Sequence, residues 1–137
     1  MQRVLFLTST RIGDAIINSG VLDHLVRTRP QARFTIACGP LAASLFTETP
    51  RLDRIIVMRK KKAGLHWLVV NLRCSVTSHF LRARQRRILE KSKIPIPKVA
   101  EAASVLGLDA PPDPRLHLSG AVRTEAADRL PGDGPWL

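Results

Sequence analysis

Hydrophobic and polar positions alternate between two periods along this chain, and the order of those periods predicts its elements. Val4–Leu7 is an uninterrupted apolar run of strand length, followed by the polar turn Thr8–Asp14 with one glycine. From Ala15 to Arg29 the apolar positions recur at helical spacing. Ile17, Val21 and Leu25 fall four residues apart with Leu22 and Val26 beside them, one stripe that can lie on a sheet. Arg29-Pro30 ends that helix, because proline disfavours helical geometry in the residue before it.

The same alternation continues downstream. Arg33–Ala37 reads as a second strand closed by Gly39-Pro40, and Leu41–Phe46 as a short helix with Leu41, Ala42, Leu45 and Phe46 on one face. Arg54–Met58 and Trp67–Leu72 read as strands, 75–81 as a short helix, and 86–90 as a fifth strand whose charge suits an edge. Val99, Ala102, Ala103 and Leu106 mark an amphipathic helix ended by Gly107. A proline-rich connector, a brief extended piece at Leu116–Leu118 and a helix over 120–130 complete the chain. Strands alternating with helices predict an α/β fold with a Rossmann-like parallel sheet and right-handed crossovers.

In such sheets ligands bind beyond the carboxyl ends of the strands, where helix N termini direct their N–H groups into the crevice. The Thr8–Asp14 turn is the first such edge. Asp14 there is open to two readings, a carboxylate that does chemistry or a first-turn acid that only stabilises its helix, worth about 1 kcal/mol. Thr8, Ser9 and Arg11 are suited to sugar or phosphate oxygens, or else satisfy their own turn.

Composition adds charge to this picture. The 137 residues suit one domain, and 22 Lys and Arg against 11 Asp and Glu leave a net charge of +11, which calls for an anionic partner or surface. Arg59, Lys60, Lys61 and Lys62 follow the third strand and Arg73 the fourth, where they face the crevice or form a solvated loop. Arg82, Arg84, Arg86, Arg87, Lys91 and Lys93 form a second cluster, suited to anionic lipid headgroups.

Several function classes lack their residues. Four Phe, two Trp and no Tyr are few for base stacking, and no RRM, KH, zinc-finger or helix-turn-helix signature accompanies the charge, which weighs against the alternative of a basic nucleic-acid-binding α/β module. No G-x-G-x-x-G or P-loop follows the first strand, so no dinucleotide or nucleotide cofactor is expected. Cys38 and Cys74 are expected to be two reduced thiols, the four histidines stand singly, and no metal is expected. No signal peptide or run of roughly 18 apolar residues is present, so a cytoplasmic location, at most peripheral to a membrane, is expected.

Taken in order, Arg3–Leu7, the Arg11-Ile12-Gly13-Asp14 turn, Gly39-Pro40, Leu68–Arg73 and Leu130–Trp136 resemble the lipopolysaccharide heptosyltransferases, glycosyltransferase family 9, over that family's N-terminal half. The family usually carries an acidic residue where Asn71 stands and a small one where Cys74 stands. The resemblance implies the acceptor domain of a GT-B glycosyltransferase, at 1–130, with 131–137 beginning the linker into a C-terminal donor domain absent from this sequence. It implies inverting, metal-independent transfer of heptose from ADP-heptose to an anionic glycolipid acceptor of the lipid A–Kdo inner-core type, on the inner face of the bacterial inner membrane. Asp14 is then the base that deprotonates the acceptor hydroxyl, and Gly13 leaves room for the acceptor beside it. On this reading the donor would be bound only by the absent domain, so a chain truncated here would bind acceptor without transferring sugar.

Overall fold

The computed structural model describes residues 2–58, 66–72, 82–90 and 92–130, with the side chains of 66–68 left aside. The sequence elements Arg59–Lys62, Arg73, the short helix over 75–81 and the tail 131–137 lie outside the described residues. Five strands, β1 (Gln2–Leu7), β2 (Ala32–Cys38), β3 (Leu52–Val57), β4 (His66–Asn71) and β5 (Ala83–Ile88), form one sheet in the order β3-β2-β1-β4-β5. Every pairing is parallel. The α/β class and parallel sheet predicted from the sequence are what the structure shows.

Central position explains why β1 is the most apolar strand. Hydrogen-bonded to β2 on one side and β4 on the other, it has both faces covered, and Val4, Leu5 and Phe6 are wholly buried. Alternation divides these side chains between two cores. Val4 and Phe6 join Phe34, Ile36, Phe46 and Val70 beneath helix α1 (Ile12–Thr28), whereas Leu5 and Leu7 pack with Ala37 and Val69 on the opposite face.

Helix α1 begins three residues before the periodic stripe, because Gly13 and Asp14 already lie in its first turn. It is buried on more than the sheet side. Gly20 has the Pro112 and Asp113 carbonyl oxygens 2.5 Å from where a Cβ would stand, and Ser19 Oγ accepts a 2.8 Å bond from Arg115 N–H. The proline-rich connector therefore runs back over α1, and only glycine permits that approach. Asp23, buried under the same strap, accepts from Arg27 Nε at 2.9 Å and lies 3.4 Å from His117 Nε2. His117 thus has a carboxylate neighbour from a distant part of the chain, contrary to the solitary histidines read from sequence.

The Pro40–Phe46 segment is a 3-10 helix, which corrects the predicted face. With three residues per turn, positions 41, 44 and 47 share the outer edge, so Leu41 is 72% exposed while Ala42 and Phe46 are buried. Helix α2 (Lys98–Ser104) packs on α1, and α3 (Gly120–Arg129) is exposed throughout. The 116–118 piece joins no strand, and β5 is an edge strand as its charge predicts.

Candidate functional site

Strand order reverses at β1. The chain steps outward from β1 to β2 and β3, then returns to place β4 on the other flank, so the carboxyl ends of β1 and β4 border the topological switch point where open α/β sheets bind ligands. The loop at that point is fixed largely by its backbone. Thr8 N–H donates to Ala37 O at 2.9 Å, Leu72 N–H to Leu7 O at 3.0 Å, and Gly39 N–H to Ser9 O at 3.4 Å. A Cβ on Gly39 would stand 2.5 Å from Thr10 O and 2.6 Å from Thr10 Cα, so the Gly39-Pro40 turn seats the 8–11 loop against the end of β2.

Side chains complete the loop. Arg11 N–H donates to Ser9 Oγ at 3.1 Å, and Ser9 Oγ–H donates to Asp14 Oδ2 at 3.3 Å, a relay from backbone to carboxylate. Asp14 is the third residue of α1 and half-buried, so its carboxylate is oriented from within and open from without. No side chain caps the helix N terminus, where the N-cap residue is Arg11. The N–H groups and macrodipole at this end favour negative charge. Gly13 is exposed and, its chain neighbours and its own helix backbone apart, no atom of the described residues lies within 4 Å of where its Cβ would be, so the described structure leaves space beside Asp14.

Thr8 behaves otherwise than predicted. It is fully buried and its Oγ1 accepts from Asn18 Nδ2 at 3.0 Å, so this hydroxyl ties α1 to β1 from beneath the loop. Ser9 and Thr10 are half-buried, and Arg11 is exposed. The structure therefore brings Ser9, Arg11, Gly13 and Asp14 together at one edge, with Thr8 as their support.

Sequence reading passed over Asn18, and noted Asn71 only as a departure from the family's usual acidic residue. Asn18 lies one helical turn after Asp14 and is buried, and Asn71 ends β4 in register with Leu7, wholly buried. Each had a signal: a polar residue on an otherwise apolar helical or strand face, four residues from the carboxylate or at the strand's carboxyl end. Beside them, Cys38 is buried, which pushes its thiol up to about 11 and suits a reduced, unreactive residue.

Among the described residues, no group of three or more His, Cys, Asp or Glu is placed to hold a metal ion, and no helix is long and apolar enough to cross a membrane. Of the second basic cluster, Arg84, Arg86 and Arg87 lie on β5 with Arg82 just before it, one strand away from the switch point.

By sequence alone, neither a protein-family model nor a curated protein matches this chain. By structure, it is similar to a glycosyl transferase family 9 protein of Veillonella parvula DSM 2008 (TM-score 0.66, 14% identity), covering 93% of this chain and 48% of that one. It is also similar to E. coli heptosyltransferase WaaC solved with ADP (TM-score 0.56, 16% identity, 84% of this chain and 50% of that one). A third similarity is to WaaC with ADP-2-deoxy-2-fluoro heptose (TM-score 0.57, 15% identity, 95% and 55%). The chain thus shares an α/β fold with these glycosyltransferases and spans about half their length.

Proposed function

We propose that the chain is the acceptor-binding part of a family 9 glycosyltransferase of GT-B architecture, corresponding to the N-terminal half of such enzymes and acting on heptose carried by ADP. The observation that carries this reading is the Asp14 carboxylate, held by Ser9 at the switch-point edge beside the open space at Gly13. The fold shared with WaaC, solved with ADP and with a fluorinated ADP-heptose, supports the choice of reaction.

The chemistry follows from that placement. An acceptor hydroxyl within about 3 Å of the carboxylate attacks the anomeric carbon of the heptose from the side opposite ADP. The new carbon–oxygen bond forms as the bond to the diphosphate breaks, which inverts the centre, and the hydroxyl proton passes to Asp14. Ser9 engages Oδ2, leaving Oδ1 to take that proton. The diphosphate leaves with its negative charge to the donor half of the enzyme, and no step needs a metal.

Arg11 at the helix start, with Arg59–Lys62 and Arg73, which follow β3 and β4 in the sequence, meets the carboxylates and phosphates of a lipid A–Kdo-type acceptor. The arginines of β5 contact anionic headgroups at about 1 kcal/mol each near the surface, holding the protein to the cytoplasmic face of the membrane.

The test is transfer. This chain alone, given ADP-heptose and inner-core acceptor, is expected to bind acceptor saturably and to transfer nothing. In the protein context that supplies the donor half, Asp14→Asn is expected to lower kcat by about 10²–10⁴-fold with acceptor KM little changed. Equal rates for the two forms would overturn the role of Asp14.

A further inference from the structure

At the other end of α1 a second concavity opens. The last turns of α1, strand β5 and the residue group after α2 enclose a cleft of about 120 Å³, whose polar wall is His24, Thr28, Arg29, Gln85 and Arg87, with Leu106 among its apolar residues. Asp14 and Thr28 lie at opposite ends of α1, roughly 20 Å apart at about 1.5 Å per residue. The cleft is therefore separate from the switch-point crevice.

We propose that this cleft is a binding site for a single tetrahedral oxyanion of the phosphate type. Charge is the first argument: among the described residues the wall carries two guanidiniums and an imidazole and no carboxylate. Arginine's planar fork matches two oxygens of a phosphate, and the Gln85 amide adds neutral donors. Size is the second. The cleft is well below the roughly 300–1,000 Å³ of pockets that enclose drug-sized ligands, so it is sized for one phosphate group and not for a whole nucleotide or disaccharide.

Two opposing effects are smaller. The C terminus of α1 carries about half a negative charge, which disfavours an anion. Arg51 already answers it: its guanidinium donates to Val26 O and Ala32 O, while Arg29 N–H caps Leu25 O. The full charges of the cleft arginines therefore exceed what the helix end presents.

The second effect is that arginines on an edge strand protect it from pairing with another sheet. That accounts for a charged strand but not for which way each residue faces. Arg87 pairs in register with Val70, a residue of the core beneath α1, so Gln85 and Arg87 occupy the sheet face turned toward α1, and Arg84 and Arg86 the other.

Titration with inorganic phosphate, followed by amide and side-chain NMR of the chain, tests the site. Saturable shifts at His24, Thr28, Gln85 and Arg87 are expected, with affinity about tenfold weaker in Arg87→Ala and likewise reduced in Gln85→Ala, both on an exposed edge strand. Arg33→Ala removes a cation elsewhere on the sheet, one paired with Asp53 at 3.5 Å, and is expected to bind as the unaltered chain does. Vesicles containing phosphatidic acid form the second arm. A larger loss of vesicle binding in Arg87→Ala than in Arg84→Ala, which removes a β5 arginine outside the cleft, assigns the phosphate to a lipid headgroup, and equal losses in the two assign it to a soluble phosphate. Shifts that never saturate, or equal phosphate affinity in all variants, would overturn the proposal.

Discussion

The β1–α1 junction and the β5 edge belong to one sheet and are built on opposite terms. The junction is tied down from the inside: Leu7 lies between Ala37 and Asn71, Thr8 is bonded to Asn18, and the loop backbone is bonded to β2. At the edge, Arg84, Gln85, Arg86 and Arg87 are exposed and, among the described residues, β5 has one strand neighbour. The first arrangement fixes a carboxylate in position; the second, at Arg84 and Arg86 on the face turned away from α1, carries charge without specifying a geometry. Catalytic groups need the former, because small displacements of a base cost rate, whereas attraction to a polyanion needs only the latter.

Substitutions separate the two regions by magnitude. Phe6→Ala, at a wholly buried position of the central strand, is expected to cost about 3–5 kcal/mol in denaturant unfolding. Gly39→Ala, which would set a Cβ 2.5 Å from the Thr10 carbonyl, is expected to cost about 1–3 kcal/mol and to displace the 8–11 loop. Asn18→Ala removes the bond to Thr8 and is expected to cost about 1 kcal/mol, with amide shifts confined to the junction. Arg84→Ala, on the exposed edge, is expected to stay within about 0.5 kcal/mol of the parent while weakening binding to anionic vesicles. A cost at Arg84 as large as that at Asn18 would dissolve the distinction.

Cys38 gives a pH test of the packing behind the junction. Burial raises its thiol from 9.0 to about 11, so the folded chain holds a proton that the unfolded chain releases. Its contribution to stability is fully present below about pH 9 and is lost as pH rises toward 11. With Cys74 replaced by serine, the folded chain should react with a thiol reagent at pH 8 about 100-fold more slowly than the unfolded chain, which two pH units of thiolate suppression imply. Equal rates would show that β2 is open at its carboxyl end.

How far each region could be read from the sequence follows the same division. β1 and α1 were legible because their apolar residues repeat at strand and helix periods over enough length to exclude the alternative, and β5 was legible as an edge because no covered strand carries three arginines. The role of Asp14's neighbours was partly legible: spacing put Ser9 near Asp14, but only the tertiary structure shows Thr8 turned inward to Asn18. Leu41 was misplaced because an apolar tetrad within seven residues does not distinguish a 3.6-residue period from a 3-residue one. The strap over α1 was not legible at all. Gly20, Ser19 and Asp23 meet residues 112–117 across more than ninety positions, and no local pattern encodes such a contact.

The central claim is that the junction, and not the basic edge, receives the acceptor. Chemical-shift mapping with a delipidated inner-core oligosaccharide tests it most directly, since removing the lipid removes the membrane contribution of the edge. Saturable shifts centred on Ser9, Arg11, Gly13 and Asp14, retained in an Arg84→Ala and Arg86→Ala double variant, are the predicted result. Shifts centred on β5 that vanish in that double variant, with the junction unmoved, would contradict it.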